Sequence, residues 1–182
     1  AAKSGGVVHA FEPNNDQRKM LMHNAELNQL SNIVPRSEGL WDNSTTTLAL
    51  VGYDSFAHPE TVDAAHDDAF QTVTIDEYLR AAGVDRLDLI MLDIEGAEYR
   101  ALKGAQSFLQ QPAGQAPNIV FEVHRHYVDW SNGLENTELI RFLTDLGYQV
   151  FAVRDFNSNY NLAGKPIEII PAKDVYLEGP DH

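Results

Sequence analysis

The chain has 182 residues, 43% of them hydrophobic, which suits one globular domain over residues 1–182 with a substantial core. Its 27 acids against 13 Lys and Arg give a formal net charge of −14, which repels polyanions and makes nucleic acid a poor candidate partner. The lack of cysteine excludes disulfides, thiolate metal sites and thiol nucleophiles. With neither a membrane-length apolar run nor a signal peptide, we expect a cytoplasmic protein without a membrane partner.

The first half of the chain alternates short apolar runs with helical patterns. Asn14 is a favourable cap for the first helix, and Gly83 suits the end of the second. The acidic stretch 52–70 carries no clear period and is predicted to be a loop. The predicted elements are strands at 7–11, 33–34, 45–51 and 72–74, and helices from 14 to about 29 and over 75–82.

The second half continues the alternation. It predicts strands at 87–92, 118–124, 148–153 and 175–177, helical patterns at 97–109 and 134–146, and a polar loop at 157–165. Strands that alternate with helices predict an α/β fold with a mostly parallel central sheet and helices on both of its faces.

Three acids follow the strand at 87–92. The unbroken apolar run 89–92 predicts a strand buried on both faces, as in the middle of a parallel sheet. Ligands of open α/β sheets bind at the carboxyl ends of the strands, so Asp93 and Glu95 are candidate functional residues. Glu98 falls inside the following helix, and we interpret it as a solvated acid that favours the positive end of the helix dipole.

Glu12 ends the first predicted strand. A carboxylate in this setting commonly accepts hydrogen bonds from ribose hydroxyls, but an acid at a helix start is an equally good interpretation. A glycine-rich phosphate loop would normally precede such a residue. Gly5 and Gly6 come before the strand rather than after one, so that loop is missing.

Five sequence segments, taken in chain order, indicate a family. They are HAFEPN at 9–14, NAELN at 24–28, TIDEYL at 74–79, DLIMLDIEGAEYRALKGA at 88–105 and FEVH at 121–124. Together they resemble the FkbM-type family of S-adenosylmethionine-dependent methyltransferases over about residues 7–124. The resemblance implies a class I, Rossmann-like fold with a mostly parallel seven-stranded sheet, and O-methylation of a sugar, glycan or natural product. The family's glycine-rich first motif is missing, so the chain begins after that motif or the domain has lost it.

The resemblance also implies roles for particular residues. Glu12 would hold the ribose hydroxyls of S-adenosylmethionine, and Glu38 and Asp42 would flank its adenine. Asp93 would lie beside the methionine and methyl end of the cofactor. Glu95 and His124 would face a small-molecule or glycan acceptor.

Methyl transfer to a hydroxyl needs in-line placement of the acceptor and removal of a proton. His124 is the preferred general base, because histidine titrates near physiological pH, and Asp93 is the second candidate. A histidine that merely satisfies a sheet edge is an equally weighted interpretation of His124.

Three alternatives remain open at this point. Asp93, Glu95, Glu122 and His124 form a set of ligands suited to Mg²⁺, although we predict no metal because the four belong to two separate strands. The alternative to an enzyme is a non-catalytic α/β interaction module that has lost cofactor binding. An NAD-type dehydrogenase half depends on the same missing glycines and has no other support.

Overall fold

The computed structural model describes residues 2–52, 57–154 and 168–175. The chain divides into two compact units, Ala1–Glu122 and Val123–His182, here called the first and second units. None of the helices in the described ranges combines the length and apolar character that crossing a bilayer requires.

The first unit alternates strands and helices in the predicted order. Polar side chains cap its first two helices, as Asn14 Oδ1 accepts from the amides of Asp16 and Gln17, and Thr74 Oγ1 accepts from the amide of Glu77. Its strands are β1 (Val8–Phe11), β2 (Ile33–Arg36), β3 (Gly39–Leu40), β4 (Thr47–Val51), β5 (His58–Thr61), β6 (Phe70–Val73), β7 (Leu89–Leu92) and β8 (Asn118–Phe121). Its helices are α1 (Asn15–Leu27), α2 (Ile75–Ala81), α3 (Glu98–Lys103) and α4 (Gln106–Leu109).

The strands of the first unit form three separate sheets in the described residues. β1 pairs with β2 and β7 pairs with β8, both in parallel, while β3, β6, β4 and β5 form a mixed sheet in that order. Each parallel pair is joined through helical crossovers, α1 in one case and α3 with α4 in the other. The α/β class is therefore confirmed, and one mostly parallel central sheet stays a prediction.

The prediction that 52–70 is a loop was wrong in part. β5 lies inside it and pairs antiparallel with β4, with Val51 opposite His58 and Leu48 opposite Thr61. Cross-strand backbone hydrogen bonds can hold a polar strand that has no apolar alternation of its own. Residues 53–56 of this segment lie outside the described residues.

The prediction that the strand at 89–92 is buried on both faces was also wrong. Ile90 and Leu92 are buried, whereas Leu89 is 45% exposed and Met91 is 73% exposed. On β8, Val120 is 54% exposed, so the two strands present an apolar face to solvent. An unbroken apolar run reports only that both faces tolerate apolar side chains.

The helical pattern at 97–109 supplies much of the core but is not one helix. Leu102 and Leu109 are almost completely buried, as the stripe predicted, yet α3 ends before Gly104 and α4 begins after it. A Cβ at Gly104 would collide with the backbone oxygen of Trp41 and press on Thr74. The glycine between the two helices therefore lets the backbone at residue 104 approach the backbone at Trp41 closely.

His9 and Tyr78 connect β1 to α2. His9 Nδ1 lies 2.6 Å from the Tyr78 hydroxyl oxygen, and Phe11 meets the same phenol edge-on with ring centroids 4.8 Å apart. Burial, together with the positive charge of Arg36, lowers the pKa of His9. The folded state therefore favours neutral His9.

This shift predicts acid sensitivity of the first unit. Above the unfolded-state pKa of 6.5, His9 is neutral in both states and its contribution to the free energy of unfolding is complete. As the pH falls below that value, the unfolded chain takes up the proton first. The contribution is therefore lost as the pH falls through the lowered folded-state pKa. We expect the urea concentration at the midpoint of unfolding to decrease as the pH is lowered from about 7 to about 5. A His9→Gln variant should show a shallower decline, and an identical decline would contradict the assignment to His9.

The second unit contains α5 (Glu138–Asp145), β9 (Phe151–Arg154) and β10 (Glu168–Pro171) in its described part. Thr137 caps α5, which begins four residues later than predicted because 134–136 form a 3-10 turn. β9 and β10 pair antiparallel. The predicted strand at 175–177 was wrong for Val175, which is not in a strand, and the loop at 157–165 lies outside the described residues, as do 176 and 177.

Candidate active site

Glu12 lies at the carboxyl end of the β1–β2 pair. Phe11 is in register with Arg36, and the Glu12 amide donates to the Arg36 carbonyl at 3.0 Å, so the two strand ends lie side by side. The Asn14 amide donates to Glu12 Oε1 at 2.8 Å. This bond orients the carboxylate at the strand end and leaves its second oxygen able to accept from a ligand.

Glu38 follows β2 and forms an ion pair with Arg36. The Ser37 amide donates to its Oε2 at 3.0 Å. Burial alone would raise the pKa of Glu38, but the hydrogen bond and charge of Arg36 outweigh it and lower that pKa. Glu38 is therefore an ionised group held beside a cation.

Asp42 is likewise bound to a cation. Arg100, on α3, donates to its Oδ2 at 2.6 Å, and Asn43 Nδ2 donates to its Oδ1 at 2.9 Å. Although burial opposes ionisation, the bonds from Arg100 and Asn43 hold the pKa of Asp42 below its usual range. Both carboxylates predicted to flank adenine are thus already engaged by arginines.

A pocket of about 880 Å³ opens between α1 and β2, within the first unit. Ser37 and Glu38 line it, together with Arg18, Met22 and Leu30. Its volume falls in the range of pockets that hold nucleoside-sized ligands. Of the residues predicted to bind the cofactor, Glu38 alone lines this pocket.

Three carboxylates meet at the carboxyl end of the β7–β8 pair. Asp93, Glu95 and Glu122 each place an oxygen within 4.8 Å of the others, and we call them the acidic cluster. The structure thus brings together three members of the Mg²⁺ ligand set suggested by the sequence, namely the two candidate functional acids and Glu122. Such a set can attract a cation, either a hard metal ion such as Mg²⁺ or a positively charged ligand.

The turn that places Glu95 in the acidic cluster has a strained backbone. Glu95 has φ of 51° and Gly96 has φ of 93°, so two successive residues lie in the left-handed region. For a residue with a side chain this conformation costs about 1–2 kcal/mol. Glu95 Oε2 is buried without a hydrogen-bond partner in the described residues.

The interpretation of Glu98 as a solvated helix-start acid was wrong. Its side chain is buried, with the residue only 3% exposed, and its Oε1 accepts from the Ile94 amide at 3.0 Å. Burial raises the pKa of Glu98, and the charge of Asp93 acts in the same direction, while amide hydrogen bonds oppose them. The signal in the sequence was its spacing, which lets a first-turn glutamate reach back to the amide of the preceding turn.

The comparison with known families decides the identity of this domain. The family model described as the methyltransferase FkbM domain matches residues 1–150. The chain belongs to the FkbM methyltransferase family. No curated protein and no solved structure matches it.

Membership of the FkbM family makes the domain a methyltransferase, and the match includes every residue proposed above for the site. It also includes His124, which belongs to the second unit. The strand predicted to reach His124 ends at Phe121, so His124 lies beyond it. Its ring centroid is 4.9 Å from that of His126 and 5.5 Å from that of Tyr127.

The hydrogen bonding of His124 limits what the FkbM domain can do with it. The His126 amide donates to His124 Nδ1 at 3.3 Å, which favours the tautomer with its proton on Nε2. In that form Nε2 can donate a hydrogen bond but cannot accept a proton. The lone pair that can take a proton is on Nδ1, so a role as general base requires the bond from the His126 amide to break.

Proposed function

We propose that this FkbM domain is an S-adenosylmethionine-dependent O-methyltransferase acting on a hydroxyl of a sugar, glycan or natural product. The observation that carries the proposal is the family match over residues 1–150. It is supported by carboxylates at the carboxyl ends of both parallel strand pairs, where ligands of α/β sheets bind.

The cofactor end of the proposed site is built on β1 and β2. Glu12, held by the Asn14 amide, has a free carboxylate oxygen for the ribose hydroxyls. Glu38 lines the neighbouring pocket and is the better of the two predicted adenine contacts. Asp42 acts there only through the Arg100 pair that already occupies it.

The reacting end is proposed at the acidic cluster. Bound S-adenosylmethionine would supply an electrophilic methyl group on a sulfonium cation. Three neighbouring carboxylates favour a cation electrostatically. Asp93, exposed at the strand end, takes the proton of the acceptor hydroxyl, and Glu95 orients the acceptor.

His124 remains a proposed catalytic residue with a more defined chemistry. With its proton on Nε2 it can donate a hydrogen bond to an oxygen atom of a ligand. Removal of the acceptor proton is then assigned to Asp93 first. His124 serves as base only after its bond from the His126 amide breaks.

The cofactor site is tested by titrating S-adenosylmethionine calorimetrically into the full-length natural protein and its Glu12→Ala variant. We expect the variant to lose about 1–3 kcal/mol of binding free energy, or roughly 5- to 150-fold in Kd, because buried ligand hydroxyls lose their acceptor.

Asp16→Ala is the matched control, since Asp16 is an exposed acid in the first turn of the helix that follows Glu12. If Glu12 were only a helix-start acid, the two variants would behave alike. If the parent protein binds no S-adenosylmethionine, the enzymatic proposal fails and the non-catalytic interaction module takes its place.

A further inference from the structure

The turn between β7 and α3 depends on an interaction that the proposed chemistry does not use. Glu95 and Gly96 both have positive φ, and the Ala97 amide closes the turn on the Ile94 carbonyl at 3.3 Å. The Ile94 amide points to Glu98 instead, donating to Oε1 at 3.0 Å. Glu98 therefore bridges the first turn of α3 back to the end of β7.

Burial makes this bridge unusual for a glutamate. Glu98 is only 3% exposed, although an ionisable side chain in the first turn of a helix normally reaches solvent. Ala97, the residue before α3, makes no capping hydrogen bond with its side chain. Glu98 instead reaches back from the first helical turn to an amide that precedes the helix, as the glutamate of a capping box does.

We propose that Glu98 is a positioning residue that holds the 93–98 turn and so directs the Glu95 carboxylate into the acidic cluster. Left-handed backbone at a residue with a side chain persists only where the surroundings fix it. The bond from the Ile94 amide fixes the residue immediately before Glu95. The consequence for catalysis rests on the proposed methyltransferase function, whereas the consequence for the turn does not.

Two variants separate the proposal from a general loss of stability. Glu98→Gln keeps a side-chain oxygen that can accept from the Ile94 amide, and Glu98→Ala removes it. We expect hydrogen exchange of the Ile94 amide to accelerate by about tenfold or more in Glu98→Ala and to stay close to the parent in Glu98→Gln. This readout needs neither cofactor nor acceptor.

Turnover supplies the second readout. If the parent transfers methyl groups, Glu98→Ala is expected to lower kcat by up to about 100-fold while KM for S-adenosylmethionine changes by less than about threefold, because the acceptor end is misplaced and the cofactor end is not. Glu98→Gln should restore most of the rate. Glu138→Ala is the control, since Glu138 is an exposed first-turn glutamate of α5.

Unchanged exchange at Ile94 in Glu98→Ala would overturn the proposal, whatever the activity. Faster exchange with an unchanged kcat would overturn the positioning of Glu95. An inactive parent with faster exchange in Glu98→Ala alone would refute the methyltransferase function and leave the turn assignment standing.

Discussion

A Gly104→Ala variant is expected to lose about 2–3 kcal/mol of unfolding free energy. Gly104 has φ of −79°, which alanine adopts readily, so backbone strain does not cause the loss. The cause is steric, because a methyl group would meet the Trp41 carbonyl oxygen and the Thr74 side chain. Neither α2, which Thr74 caps, nor the chain at Trp41 can move away without breaking hydrogen bonds, as the Trp41 amide donates to Val73 and the Asp76 amide to Gly104 itself.

Gly39→Ala is the matched comparison. Its new methyl group would meet the ring of Phe70, a side chain that can rotate. Urea denaturation should therefore give a clearly smaller loss for Gly39→Ala than for Gly104→Ala. Equal losses would mean that the backbone contact at Trp41 has no special weight.

Asp93→Asn is expected to lower kcat by about 100-fold or more, because asparagine keeps the shape of the side chain and cannot take the acceptor proton. Stability should change little, since Asp93 is exposed. The measurement is methyl transfer from labelled S-adenosylmethionine to a panel of sugar hydroxyls, with kcat and KM determined separately.

Asp88→Asn is the control for this experiment. Asp88 lies just before the amino end of β7, is exposed and pairs with Arg86, so its replacement should leave kcat unchanged. A parental rate that falls on addition of a chelator and returns with Mg²⁺ would assign Asp93 to a metal ion instead of the proton. An Asp93→Asn variant with full activity would remove the residue from the reaction.

The sequence predicted strand-to-helix alternation well because turn and cap chemistry is local. Asn14 and Thr74 sit where predicted helices begin, and each side chain accepts from the helix amides as a cap should. The carboxyl end of β7 was also predictable. A strand that runs directly into acids and glycine is a pattern that local order alone determines.

What the sequence could not predict depends on contacts between distant segments. The burial of Glu98 depends on how α3 packs, and the bond between Arg100 and Asp42 joins residues that are 58 positions apart in the chain. The sequence suggests Glu122 and Asp93 as members of one ligand set, but their proximity follows from the pairing of β8 with β7 in one register. The pattern of apolar residues along a strand does not say which face of the strand a neighbouring element covers. Met91, in an apolar run, is 73% exposed.

The exposure of β7 and α1 has a chemical consequence. The chain has three methionines and no cysteine, and Met20, Met22 and Met91 are 57%, 37% and 73% exposed. The buried core of the described residues therefore contains no sulfur. Oxidation of these thioethers to sulfoxides would place new polar groups in solvent and not among packed side chains. Oxidants would therefore modify the surface of this domain without disrupting the packing of its core.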